Sequence, residues 1–200
     1  MALTLIKEDG SGKVDANSYA NAADGDAYHD GHLYASAWTG ASSDDKDKAL
    51  VMATRLIDSQ CQFNGGRTKA DQALQWPRVE CPDPDKGRRT ASVLIPLLDT
   101  FVPYDQVPKP VVDATCETAR ELLVADRTAA PPGEGIDSTQ SAESSSSDDG
   151  TNKASASSSS GTRYSKADTR PIISHVAQAM LSKFGALVRS TSGAARLVRV

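Results

Sequence analysis

Between Ser138 and Ser160 the chain holds eleven serines, and its only apolar residues there are Ala142, Ala154 and Ala156. Such a stretch cannot bury enough surface to offset the entropy of ordering it, so its composition predicts a mobile insertion or linker. Any core must therefore be assembled from the segments on either side. With 200 residues, 38% of them hydrophobic and 5% aromatic, those segments suffice for one small domain with an appendage. No run of about 18 apolar residues occurs, which argues against a membrane-spanning helix. Met1 to Gly10 also lacks the basic-then-apolar pattern of a secretory signal. Cys61, Cys81 and Cys116 are odd in number and scattered, matching neither a disulfide framework nor a zinc pattern and fitting a reducing cytoplasm.

Four segments carry helical periodicity. The first is predicted through Tyr19, Ala23, Ala27 and Tyr28, capped by Asp15 or Asn17 and ended by Gly31, with Trp38 in the connector that follows. The strongest begins at Ser42-Ser43-Asp44-Asp45, a capping-box pattern with Asp in place of Glu, and places Ala49, Leu50, Ala53, Leu56 and Ile57 on one stripe. Gly65-Gly66 breaks it, and Gln72 to Pro77 reads as a short extended piece. A third helix is expected from Pro110 to near Arg127, burying Val111, Val112, Thr115, Cys116, Ala119, Leu122 and Leu123. The fourth carries Ile172, Ile173, Val176, Ala177, Met180, Leu181 and Phe184, with Asp168 or Thr169 as its cap.

Charge divides the chain. From Arg163 to Val200 there are seven basic residues against Asp168 alone, so residues 1–162 carry a net charge of −10 out of the total −4. A basic end on an acidic body points to two different partners. The last residues, Ala194 to Val200, mix valine, leucine and arginine without a helical stripe and favour an extended form.

Few residues suggest chemistry. His29 and His32 stand three apart at a helix end, with no HExxH or paired CxxC to complete a metal site, and read as surface histidines. Cys116 lies on an apolar stripe, and nothing marks Cys81 or Cys61 as an activated nucleophile. No GxSxG, P-loop or GxGxxG is present, and Gly65-Gly66 reads as a loop hinge. These signals predict no enzyme, no cofactor and no metal. Trp38, Trp76, Tyr19, Tyr28 and Tyr34, with Arg55, Arg67 and Arg78, are the residues from which a stacking platform for single-stranded nucleic acid would be built. The acidic body argues instead that these aromatics pack the core, with arginine stems covering them.

Ala16-Asn17-Ser18-Tyr19, Asp26-Ala27-Tyr28, Trp38, Ala53-Thr54-Arg55-Leu56-Ile57-Asp58, Gln72 to Arg78, Val107-Pro108, Ala114 to Glu117 and Arg196 to Arg199 together resemble the small head–tail adaptor (connector) proteins of tailed bacteriophages. Related sequences are also labelled DnaT-like single-stranded DNA-binding proteins. The resemblance implies a structural subunit of a dodecameric homo-oligomeric ring beneath the portal protein, extending the DNA channel and joining head to tail. It also implies the next tail or nozzle component as a partner, DNA passing without specific binding, no membrane, and a place in the virion neck after assembly in the host cytoplasm. Under this reading Arg196, Leu197, Val198, Arg199 and Val200 form a portal-docking arm that adds to a sheet edge. The alternative is a single-stranded DNA-binding accessory protein of replication.

The expected fold is mainly α: a small helical bundle with short extended segments, a Ser-rich insertion and an extended C-terminal arm. Its parts are a helical body of residues 1–132 with 163–192, a flexible insertion of 133–162 and an arm of 193–200.

Overall fold

Ser42 starts the longest helix as its sequence predicts. In the computed structural model, which describes residues 3–86, 101–129, 136–144, 157–164 and 171–188, its hydroxyl accepts the Asp45 amide at 3.2 Å. Asp44 and Asp45 sit in the first turn, where the helix dipole favours negative charge. Following an eight-residue α1 (Ala22–His29) and a one-turn α2 (Ser36–Thr39) that carries Trp38, this is α3 (Ser43–Gln60). It buries Ala49, Leu50, Ala53, Thr54 and Ile57, whereas Leu56 is only half-buried. The stripe is turned toward Thr54 because that hydroxyl is satisfied inside it, donating to the Leu50 carbonyl at 3.0 Å and accepting the Tyr19 amide at 3.2 Å.

The first helix starts later than its sequence predicts. A capping box between Asn21 and Asp24 fixes its start, with bonds of 2.9 and 2.8 Å. Neither Asp15 nor Asn17 caps it. Asn17 instead bonds the Ile6 amide and the Thr4 carbonyl, both at 2.8 Å, and ties down the N-terminal segment. Tyr19 consequently lies outside the helix.

The chain continues through β1 (Cys61–Phe63), β2 (Gly66–Arg67) and β3 (Arg78–Val79) to α4 (Lys109–Val124), which begins after Pro108 with Pro110 in its first turn. Helix α4 ends at Val124 rather than near Arg127, because Ala125 is already extended. It lies against α3 and buries Val111, Ala114, Thr115, Cys116 and Ala119. The Gln72–Pro77 segment forms bends rather than a strand, held by side chains instead of a ladder.

The last helix of the body, α5 (His175–Leu181), is capped by Ser174, whose hydroxyl accepts the Ala177 amide at 3.3 Å. The expected caps Asp168 and Thr169 lie outside the described residues. Ile173 and Phe184 are buried just beyond the helix ends, while Val176 faces solvent. A further short strand (Gly185–Leu187) pairs antiparallel with β1, Cys61 opposite Leu187.

Two apolar clusters result. One gathers Tyr19, Ile57, Phe63, Trp76, Val111, Ala114, Ile173, Leu181 and Phe184, with Phe63 and Phe184 both edge-on to Trp76. The other gathers Trp38, Leu50, Ala53, Cys116 and Ala119.

By contact the chain divides into Met1–Arg127 with Ile172–Val200, and Thr128–Pro171. The second unit contains β4 (Ile136–Ser144) and β5 (Ser157–Tyr164), an antiparallel pair registered from Ile136↔Tyr164 to Ser144↔Ser157. Composition predicts a mobile insertion here, whereas the structure pairs two strands. Composition bears on burial only, and main-chain groups can pair across two strands without an apolar core.

Among the described residues there are thus five helices and three two-stranded sheets, a mixed, α-leaning fold rather than the mainly helical bundle expected. No described helix is long and apolar enough to cross a membrane. The expected docking arm, including Arg196, Leu197, Val198, Arg199 and Val200, lies outside the described residues.

Candidate nucleic-acid interface

The structure separates the aromatic and arginine set into structural and accessible members. Trp38, Trp76 and Tyr19 are completely buried. The Trp38 indole donates to Asp26 at 2.8 Å, and Lys46 both binds that carboxylate and lies over the indole ring. The Tyr19 hydroxyl donates to Asp58 at 2.5 Å and accepts the Gln75 amide at 3.1 Å. None of these rings has a free face for a base.

Arg78 is also internal. Its guanidinium donates to four main-chain carbonyls: Asn64 at 2.7 Å, Gln75 at 3.0 Å, Phe63 at 3.2 Å and Gly65 at 2.6 Å. It thereby rivets the turn around Gly65 to the β2–β3 ribbon. Gly65 has φ +73°, and a Cβ there would come within 2.1 Å of the Val79 carbonyl, so the turn requires glycine.

The remaining chemistry candidates resolve similarly. His29 is buried rather than on the surface, and its Nε2–H donates to the Cys116 carbonyl at 3.2 Å. Burial lowers its pKa. His32 faces Glu117, which Arg120 already holds through two hydrogen bonds. Among the described residues no group of three His, Cys, Asp or Glu is placed to hold a metal. All three cysteines are buried, and that burial pushes the Cys61 and Cys116 thiols up to about 12 and raises Cys81, disfavouring a thiolate.

Tyr34, Arg55 and Arg67 are exposed, and Tyr28 is half-buried. Of these, Arg67 precedes Thr68, which bonds the main chain of an aromatic that periodicity does not single out. Tyr104 is 63% exposed on the loop leading to α4. That loop is fixed on both sides of the ring. The Val102 amide bonds the Cys81 carbonyl at 2.9 Å, and the Thr68 hydroxyl donates to the Tyr104 carbonyl at 3.0 Å. Gly10 packs so closely behind Asp105 that a Cβ would meet its carbonyl at 2.0 Å.

Thr68 stands between Arg67 and Lys69 in sequence, so its hydroxyl bond ties the backbone that carries these two exposed cations to the backbone that carries Tyr104. Neither Arg67 nor Lys69 makes an ion pair among the described residues, although exposed Asp71 follows Lys69 by two residues and exposed Asp105 follows Tyr104. Tyr34 is equally exposed, but its neighbours are Asp30 and the Glu117-bound His32. An exposed ring and exposed cations on backbone segments tied to one another are the elements that single-stranded nucleic acid requires: a ring for base stacking and charges for the backbone. The sequence signal for Tyr104 is its setting, an aromatic between Pro103 and Asp105 outside any apolar period.

No curated protein and no solved structure matches the chain. A protein-family model does match, over residues 3–199, and it concerns single-stranded DNA binding. This finding overturns the expectation of a phage head–tail adaptor ring and favours the alternative reading over it. With nearly its whole length matched, the chain belongs to the family described as "Putative DnaT-like ssDNA binding protein".

Proposed function

We propose that this protein is a non-catalytic accessory protein that binds single-stranded DNA at the surface formed by Tyr104, Arg67 and Lys69. The observation that supports the reading is the Thr68 hydroxyl bond to the Tyr104 carbonyl, which ties the backbone of an exposed ring to that of the exposed Arg67 and Lys69. A base stacked on such a ring is worth about 1–3 kcal/mol, with little regard to its identity. Arg67 and Lys69 supply the phosphate contacts, while the acidic remainder of residues 1–162 discourages the strand from wandering elsewhere.

Two neutralised phosphates on a single strand give a slope of about −1.4 in log affinity against log salt. Fluorescence anisotropy of a labelled oligothymidylate across a salt series measures it. Tyr104→Ala is expected to weaken binding about tenfold or more, and Arg67→Gln to reduce the slope by about half. Absence of binding at low salt, or full affinity in Tyr104→Ala, refutes the proposal. Trp76→Ala is no test, because Trp76 is completely buried and its loss would report on folding.

A further inference from the structure

The loop that presents Tyr104 has a second side. Two and three residues further on, Gln106 and Val107 border an open cleft of about 700 Å³, whose opposite walls are Tyr28 of α1 and Val112 and Asp113 of α4. Its walls mix flat apolar surface with groups that can hydrogen-bond. The Gln106 side-chain amide makes no hydrogen bond among the described residues.

The charges at the cleft cancel. Lys7 pairs with Asp24 at 2.7 Å, and Lys109 pairs with Asp113 at 2.7 Å. A site with no net charge has little attraction for a phosphate. It suits an uncharged, planar group that carries both donors and acceptors. Lys109 has an 80% exposed side chain, so its hold on Asp113 is that of a surface ion pair and is released at little cost.

We infer that this cleft seats one unstacked nucleobase of the strand bound at Tyr104, and that it prefers guanine. The inference rests on the single-stranded DNA reading proposed above. A carboxylate has two oxygens side by side, and only guanine presents two adjacent N–H donors, at N1 and N2, along its Watson–Crick edge. Thymine presents one N–H between two carbonyls. Adenine and cytosine each place a donor beside an unprotonated ring nitrogen. Asp113 is therefore the specificity-determining residue. Tyr28 and Val112 supply the walls for the ring, and the Gln106 amide serves the remaining acceptor. Burial, with Glu117 and Asp113 nearby, pushes the Tyr28 phenol up to about 12, so the wall stays uncharged.

The test uses the full chain and three labelled strands: oligothymidylate, the same strand with one central guanine, and the same strand with inosine there. Inosine keeps N1–H and lacks the 2-amino group. The guanine strand is expected to bind about tenfold tighter than oligothymidylate, with inosine in between, as one good bidentate pair allows. In Asp113→Asn, whose folding is checked by thermal melting, the ratio of guanine-strand to thymine-strand affinity is expected to fall to about one. Equal binding of the three strands to the unaltered protein overturns the cleft alone, as does a preference that survives Asp113→Asn. Failure of every strand to bind overturns the cleft and the DNA reading together.

Discussion

Replacing Arg78 by alanine removes the donor for four carbonyls at one stroke. The side chain is 7% exposed, and its bond to the Phe63 carbonyl is fully buried while those to Asn64, Gln75 and Gly65 are partly so. A buried carbonyl left without a donor costs about 1–3 kcal/mol, and a partly buried one regains some of that from water. Counting Phe63 in full and the other three at roughly half gives a loss of about 2.5–7.5 kcal/mol. Arg78→Lys keeps the charge but not the fork. An ammonium cannot reach carbonyls on several sides of a planar group, so about 2 kcal/mol or more should still be lost. Urea unfolding followed by tryptophan fluorescence reads both variants, since Trp76 sits between Phe63 and Phe184 in the adjoining cluster. If Arg78→Ala costs less than about 1 kcal/mol, the carbonyls find water unaided and the rivet is incidental.

Further predictions concern the helix faces and the Asp58 carboxyl. Leu50→Ala, at a fully buried site, should cost about 2–5 kcal/mol in denaturant melts, and Leu56→Ala, only half-buried, distinctly less; equal losses would place the apolar stripe of α3 wrongly. Burial pushes the Asp58 carboxyl up from 3.8 to about 6, against the pull of the Tyr19 hydroxyl, the Gln75 amide, Arg67 and Arg78. A folded pKa above the unfolded one gives stability that is fully present below about 3.8 and lost as pH rises through about 6. Relative to the unaltered protein, Asp58→Asn should therefore gain by up to about 3 kcal/mol between about pH 4 and 8, and parallel stability curves would contradict this.

Local pattern makes parts of the fold legible. The Ser42 cap and the stripes of α3 and α4 follow from interactions three and four residues apart, which sequence displays directly. Periodicity misplaces Tyr19 because its partners are distant: Asp58 is 39 residues away and Gln75 is 56. Asn17 and Asn21 are equally plausible caps by type, and only the contacts of Asn17 with Ile6 and Thr4 decide between them. The interface divides in the same way. Arg67 is a candidate from its type alone, whereas the segment carrying Tyr104 is tied to it only through the Thr68 bond across 36 residues. In sequence Arg78 reads as a stem covering packed aromatics, and nothing local reveals that carbonyls surround its guanidinium.

The Arg127 guanidinium donates to the Ile172 carbonyl at 3.4 Å, joining the two positions between which residues 128–171 depart and return. A segment whose ends already meet does not set the spacing of anything in the body. Its length can drift over generations almost without penalty, since doubling a closed loop adds only about 0.6 kcal/mol of closure entropy. The serine-dominated composition is compatible with such freedom. The same junction is a natural splice point, where a fluorescent or affinity module can be carried with the α3–α4 packing left as it is.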